Sequence, residues 1–285
     1  FDKDPAKQYA DNVDDLVAGA RAAAAVYGEE SQRPGTLFAV WRRASVRCLA
    51  DGEAAGRNCL TAGHGSSLLE RVLIDGLGRA TGRTYFEMVR DNLLDIDFGS
   101  LFPELAGCAP ASVVARAPLD QLYVRHTVGL TDPIQTAEIS PSDRLEDGLP
   151  QSLEEYARVQ GILYYKIKVS GDHRADIDRL ALIASVLDGS GTDYAVTLDG
   201  NEQYLDMDGF HALLHALSSE TRLRSLYGRI LYIEQPLDRS LALEPSVEAG
   251  IRQAAEHRPM LIDESDGELD CFRRAVALGY AGVSS

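Results

Sequence analysis

Cysteine is scarce in this chain. Cys48, Cys59, Cys108 and Cys271 lie far apart among 285 residues and form no CxxC pair. That pattern excludes a zinc knuckle and offers no disulfide framework, so reduced thiols in a cytoplasmic protein are the plain expectation. Long apolar runs are also missing. The richest stretch, Leu16 to Tyr27, is mostly alanine, is interrupted by Arg21, and falls short of the ~20 residues that span a bilayer. Positive charge is in deficit, with 28 Lys and Arg against 44 Asp and Glu and a net charge of −16. Such a surface repels phosphate backbones and anionic lipid, which argues against nucleic-acid and membrane partners. Internal repeats and low-complexity tracts are absent. What remains is 45% hydrophobic and 25% charged, too rich in core-forming residues for disorder and long enough for one large or two modest domains. The chain opens at Phe1 rather than Met, which leaves a removed leader open.

The two ends of the chain differ in texture. Up to roughly residue 115 the pattern is helical. Asp4-Pro5 is expected to open a helix, with Val13, Leu16, Val17 and Ala20 on one face. Leu37, Val40, Trp41, Ala44 and Cys48 repeat that spacing, as do Leu69, Val72 and Leu73. The Pro-containing stretch Cys108 to Asp120 reads as a joint. Beyond it, apolar runs alternate with amphipathic helices. The runs are Leu122–Val128, Ile162–Val169, Tyr194–Leu198, Ile230–Ile233, Met260–Ile262 and Gly282–Ser284. The helices carry Ile177, Leu180, Ile183 and Leu187, then Phe210, Leu213, Leu214 and Leu217, then Phe272, Ala275, Val276 and Leu278. Ser152 and Glu155 make a capping-box pattern before Ile162, and Ile139 to Pro150 reads as a long loop. Regular βα alternation implies parallel strands, either doubly wound or in a (β/α)8 barrel.

Chemistry concentrates at the strand ends. In Tyr164-Tyr165-Lys166-Ile167-Lys168-Val169 the two lysines share one face of a strand and the aliphatics the other. A strand covered by helices turns its apolar residues outward, which sends both lysines inward. Two adjacent ammonium groups repel, which is expected to lower the pKa of each and fit a lysine for general-base work. A solvated edge strand is the alternative. The next three strands end in Asp199-Gly200-Asn201, Glu234-Gln235-Pro236 and Asp263-Glu264-Ser265. Asp199, Glu234 and Asp263 are spaced by 35 and 29 residues, about one βα unit each, so successive parallel strands bring them to one rim. Three ionised carboxylates at one point call for a cation, and hard oxygen ligands suit Mg²⁺ or Mn²⁺. A single strand-end Asp is usually a turn former; three in succession, facing two lysines, are not readily chance.

These motifs, K-x-K at Lys166–Lys168, D-x-N at Asp199–Asn201, E-Q-P at Glu234–Pro236 and D-E-S at Asp263–Ser265, resemble the enolase superfamily. The resemblance is to the branch that holds muconate-lactonizing enzyme, o-succinylbenzoate synthase and dipeptide epimerases, with mandelate racemase more distant. The helical stretch from Leu68 to Tyr85 also resembles that family's capping domain. The resemblance implies a mainly helical part of an α+β capping domain over residues 1–117. A (β/α)8 TIM-type barrel would follow over 118–285, of which strands one to five and the start of a sixth are present. It further implies Mg²⁺ on Asp199, Glu234 and Asp263, Lys168 as base, Lys166 as the neighbour that depresses its pKa, and Asn201 and Glu264 in support. The implied reaction is abstraction of a proton α to a substrate carboxylate through a metal-stabilised enolate. Racemisation, epimerisation or cycloisomerisation is the first reading, and an acid-sugar dehydratase the second.

The expected partners are a small carboxylate and further copies of the chain. A full barrel of this type needs eight strands and about 250 residues, so the segment is expected to be cut at both ends. Its second acid/base, a lysine on strand six in the muconate-lactonizing branch, is expected at or just past Ser285. Two other classes stand beside this one: a Schiff-base lysine aldolase, which needs no metal trio, and a non-catalytic remnant. Other features weigh less. His211 and His215 are four apart with no third ligand near in sequence, and His126 reads as a structural histidine on the first strand. Gly76, Gly78 and Gly82 miss the dinucleotide spacing, and helix capping accounts for Ser66 and Ser67.

Overall fold

The computed structural model, which describes residues 6–284, divides into two units at Asp120; the α-helices of the first end at Arg90, short of the helical pattern expected to about residue 115, and only brief 3-10 turns follow. In the first unit α1 (Tyr9–Glu30), α2 (Leu37–Ala54) and α3 (Cys59–Thr81) pack on one another, and α4 (Tyr85–Arg90) follows. The side chains of Thr36 and Asn58 accept from Ala39 and Thr61 and so cap α2 and α3. Asp4 and Pro5 lie outside the described residues, and α1 begins at Tyr9 behind Gln8. Its buried stripe is Gly19, Ala23, Val26, Tyr27 and Glu30, whereas Val13 and Val17 are exposed. The expected face is therefore corrected towards smaller residues, which let α1 and α3 approach closely. Gly65 of α3 shows why: a Cβ there would sit 2.4 Å from the carbonyl oxygen of Gly19. Val40, Ala44 and Cys48 of α2 are buried as expected, with Leu69 and Leu73 packed against them, but Val72 is exposed. Ser66 and Ser67 lie inside α3 and cap nothing; the Ser66 hydroxyl is buried 2.7 Å from that of Tyr27.

The second unit alternates strands and helices. In order they are β1 (Arg125–Val128), α5 (Leu153–Gln160), β2 (Tyr164–Lys168), α6 (His173–Gly189), β3 (Ala195–Asp199), α7 (Met207–Ser219) and α8 (Arg224–Gly228). Then come β4 (Ile230–Glu234), α9 (Arg239–Ala242), α10 (Glu248–Ala255), β5 (Met260–Ile262), α11 (Cys271–Leu278) and β6 (Gly282–Val283). The strands form one sheet in the unbroken order β1 to β6, every neighbouring pair parallel. A doubly wound sheet reverses its order at a switch point. This one does not, and it is an α/β sheet laid out as the consecutive staves of a (β/α)8 barrel.

The strand expected over Leu122–Val128 is shorter. β2 begins opposite Arg125, so Leu122, Tyr123 and Val124 have no ladder partner and stay exposed. On the outward face Tyr165, Ile167, Val196, Leu198, Ile233 and Ile262 meet the buried stripes of α6 and α7. Those stripes are the two expected quartets, Ile177 to Leu187 and Phe210 to Leu217. Helix α11 is rotated from expectation. Its i, i+4, i+7 stripe of Cys271, Ala275 and Leu278 is buried, and Phe272 and Val276 are half-exposed. Ser152 caps α5, but the reciprocal half of the expected box is not made. Glu155 instead accepts from the Gln151 amide at 2.8 Å and from Arg144 at 2.6 Å. Among the described residues, no helix is long and apolar enough to cross a membrane.

Candidate active site

The pleat of β2 buries Ile167 on the helix side and leaves Lys166 and Lys168 on the other. Register does the rest. Lys168 pairs with Asp199 at the end of β3, and Asp199 pairs with Glu234 at the end of β4. The two lysines and two carboxylates expected from the sequence therefore share one face at the carboxyl ends of three adjacent strands. Lys166 Nζ lies 3.0 Å from Asp199 Oδ2 and also contacts Glu234 Oε1, while Lys168 Nζ is 3.3 Å from Asp199 Oδ2. Asp199 and Glu234 are fully buried; Lys168 is more exposed than Lys166, 28% against 15% for the side chains.

One expectation is overturned here. Burial presses the Lys166 ammonium towards its neutral form, but its contacts with Glu234 and Asp199 outweigh burial and hold its pKa above the ordinary lysine value. Mutual repulsion of the lysines was expected to lower it. Carboxylates at 3 Å act as counter-ions and win over a second ammonium on the same strand.

Asp263 stands one residue past the end of β5, half-buried. Burial first, then the charges of Glu234 and Asp199, raise its pKa, against the pull of Lys166 and Lys168. It faces the same charge cluster, although among the described residues Asp199, Glu234 and Asp263 do not close to within 4.8 Å of one another. Asn201 donates its amide N–H to Asp199 Oδ1 at 2.8 Å, and its side chain donates to Glu264 Oε1 at 2.6 Å. Burial also raises the pKa of Glu264. Asn201 and its neighbour Glu202 both adopt positive φ, 43° and 66°. Such strain at a strand end is tolerated where the surroundings fix it. Gly200 is fixed too: a Cβ there would lie 2.4 Å from Pro236 Cα. The glycine of D-G-N and the proline of E-Q-P are thus a contact between neighbouring strand ends.

Two buried carboxylate oxygens, Glu234 Oε2 and Glu264 Oε2, have no hydrogen-bond partner, and Asp199 Oδ2 is met only by the ammonium groups of Lys166 and Lys168. Orphaned acceptors of this kind are costly unless something positive approaches them. Hard oxygens on three adjacent strand ends fit a divalent cation of the Mg²⁺ type.

Other candidates fall away. His126 aligns with outward-facing Tyr165 and stacks on Tyr156 at 4.1 Å, and burial lowers its pKa; it belongs to the helix layer. Glu268, Asp270 and Cys271 do bring ligand atoms within 4.8 Å, but two of the three are on the exposed surface. Residues with no role assigned from sequence also gather on the site's side of the sheet. Arg125 reaches from β1 to the Tyr232 hydroxyl and to Thr197 Oγ1 at 3.4 Å. Buried Glu202 receives the Arg239 guanidinium at 2.6 Å and 2.7 Å. Gln235, quoted within E-Q-P, is buried among the loops. Its signal was its place in that motif; no periodicity or charge pattern marks the others.

The fold and site together define an α/β protein whose strand ends gather two lysines and a set of buried carboxylates. No family model matches the chain, and no curated protein matches it. Several solved structures are similar to part of it. One is a mandelate racemase/muconate lactonizing protein from Herpetosiphon aurantiacus, 22% identical over 44% of this chain and 32% of that one, TM-score 0.34. Another is an enolase from Bradyrhizobium complexed with magnesium and mandelic acid, 22% identical over 45% and 31%, TM-score 0.33. A third is a dipeptide epimerase from Methylococcus capsulatus complexed with Mg ion, 23% identical over 56% and 46%, TM-score 0.30. The chain thus spans about a third to just under half of their length. Overlap this limited decides no activity, and the reading below rests on the site's own chemistry.

Proposed function

We propose that the chain carries the metal and proton-transfer half of an enolase-superfamily isomerase acting on a small carboxylate. The observation that carries this reading is the meeting of Lys166 and Lys168 with Asp199 and Glu234, two fully buried carboxylates of which Glu234 keeps one oxygen, Oε2, without a partner. Asp199, Glu234 and Asp263 would hold Mg²⁺. When bound, the ion supplies Lewis-acid stabilisation of the negative charge that develops on a carboxylate as its α-proton leaves. Lys168, the more exposed lysine, takes that proton at Nζ. Lys166 lies deeper and bridges Asp199 and Glu234, holding the two carboxylates in place. Asn201 ties the Asp199 loop to Glu264 and orients the acidic set.

Racemisation, epimerisation and cycloisomerisation all begin with this step. Dehydration begins with it too, and differs in expelling hydroxide from the neighbouring carbon. The test is incubation of the chain with a panel of small carboxylates in deuterated water, with and without Mg²⁺, followed by mass spectrometry. Mg²⁺-dependent α-deuteration that Lys168→Ala abolishes is the expected result. Deuteration that ignores Mg²⁺, or that survives Lys168→Ala, would overturn the reading. Loss of water from a β-hydroxy acid would move the assignment to a lyase.

A further inference from the structure

Of the three carboxylates, Asp199 and Glu234 lie within strands and pair with each other in the ladder. Asp263 does not. β5 ends at Ile262, and the last pairing between β4 and β5 is Glu234 with Leu261. The amide of Asp263 is instead taken by a side chain: Gln235 Oε1 accepts from it at 2.8 Å and from the Ser265 amide at 3.2 Å. The other end of the same side chain donates to Ser265 Oγ at 2.7 Å and to the Leu237 carbonyl at 2.8 Å. Its backbone is pinned as well, donating to the Leu261 carbonyl and accepting from the Glu202 amide, both at 2.9 Å. Gln235 is 1% exposed and sits at φ 37°, a left-handed conformation that a non-glycine residue holds only when its surroundings demand it.

We propose that Gln235 is a positioning residue: its carboxamide replaces the missing rung of the β4–β5 ladder and sets the place of Asp263 relative to Asp199 and Glu234. A buried primary amide suits this task because it offers acceptor and donors from one planar group. An aliphatic side chain of the same length would leave the half-buried Asp263 amide and the buried Ser265 amide without this acceptor and free the 263–265 turn to drift. The inference rests on the metal reading for its consequence and on hydrogen-bond geometry for its substance.

Gln235→Met and Gln235→Glu separate the two. In Gln235→Met, amide hydrogen exchange of the metal-free protein is expected to show lost protection at Asp263 and Ser265, while Ile233 inside the ladder stays protected. Mg²⁺ affinity by calorimetry is expected to fall about 10–100-fold, the usual loss for an outer partner of a metal ligand. Gln235→Glu keeps an acceptor in place and is expected to retain protection at both amides. Should Gln235→Met not fold, Gln235→Asn, one methylene short of the Asp263 amide, carries the same comparison. Retained protection at both amides in the Met or Asn variant would overturn the proposal. So would Mg²⁺ affinity equal to wild type, since a purely structural glutamine lowers Tm and leaves metal affinity alone. A wild-type chain that binds no Mg²⁺ would remove the metal reading only, and the clamp is then decided by exchange.

Discussion

Asp263 is charged against its own preference. Its pKa lies above the ordinary value of 3.8, through burial first and then the charges of Glu234 and Asp199. An acid whose pKa rises on folding holds its proton more tightly in the native state. Its ionised form therefore costs stability above the raised value and costs nothing below the ordinary one. Asp263→Asn is expected to raise the urea midpoint at pH 7 without divalent cations. The gain should shrink as pH falls through the raised value and vanish below 3.8. A gain that persists at low pH would trace to packing instead of charge. Lys166 sets up the converse test. Replacing it with Met leaves buried Asp199 and Glu234 without the ammonium they share, and is expected to lower Tm at pH 7 without divalent cations. An unchanged Tm would show that Lys166 contributes nothing to holding the two carboxylates.

Close approach and charge decide the helical unit at the scale of its elements. Gly65 admits the Gly19 backbone of α1 against α3, so Gly65→Ala is expected to destabilise that unit by about 1–3 kcal/mol, the usual cost of overpacking, read as a lowered Tm. Buried Glu30, at the end of α1, gathers Arg33 at 3.0 Å and Arg43 and Arg47 at 2.8 Å each. Hydrogen bonds from Arg43 and then Arg47 hold its pKa down to about 2. A lowered acid stabilises the fold above its ordinary value and loses that contribution as pH falls towards the lowered one. Glu30→Gln is therefore expected to lower Tm at neutral pH, with the difference from wild type narrowing between about pH 4.5 and pH 2.

These two features also mark where sequence reading stops. Periodicity found the stripes of α6 and α7 because large aliphatics at i, i+3 and i+7 had one face to bury. It chose the wrong face on α1, where the small residues Gly19 and Ala23 do the packing and carry little hydrophobic signal; on α11 it had Ala275 and Leu278 right but took Phe272 and Val276 in place of Cys271. Strand alternation put Lys166 and Lys168 on one face correctly, and the spacing of one βα unit brought Asp199 and Glu234 to the same strand ends. Neither could show that Asp199 contacts both ammonium groups and that Glu234 contacts Lys166. The sign of the Lys166 shift depends on 3 Å distances that no spacing encodes. Gln235 was legible as a motif letter and not as a clamp, because its partners are backbone amides nearly thirty residues away.

For the whole molecule, a net charge of −16 makes two effects of Mg²⁺ hard to tell apart unless they are separated by design. Any salt screens the self-repulsion of an acidic chain, so NaCl alone should raise Tm from low ionic strength, with most of the gain complete near 0.15 M, where the Debye length is about 8 Å. A bound cation acts differently, through mass action on the native state. At ten times its Kd it adds about 1.4 kcal/mol, or about 3–6 °C for a unit of this size. Scanning calorimetry in MgCl₂ against NaCl of matched ionic strength isolates that increment. Wild type is expected to show the extra rise. Asp199→Asn should keep the NaCl response, because one charge in so many changes screening little, and lose the Mg²⁺ increment, because Asp199 lies at the centre of the acidic set. Equal Tm in the two salts for wild type would mean that the buried carboxylates are held by Lys166 and Lys168 alone, and that the strand ends bind no cation.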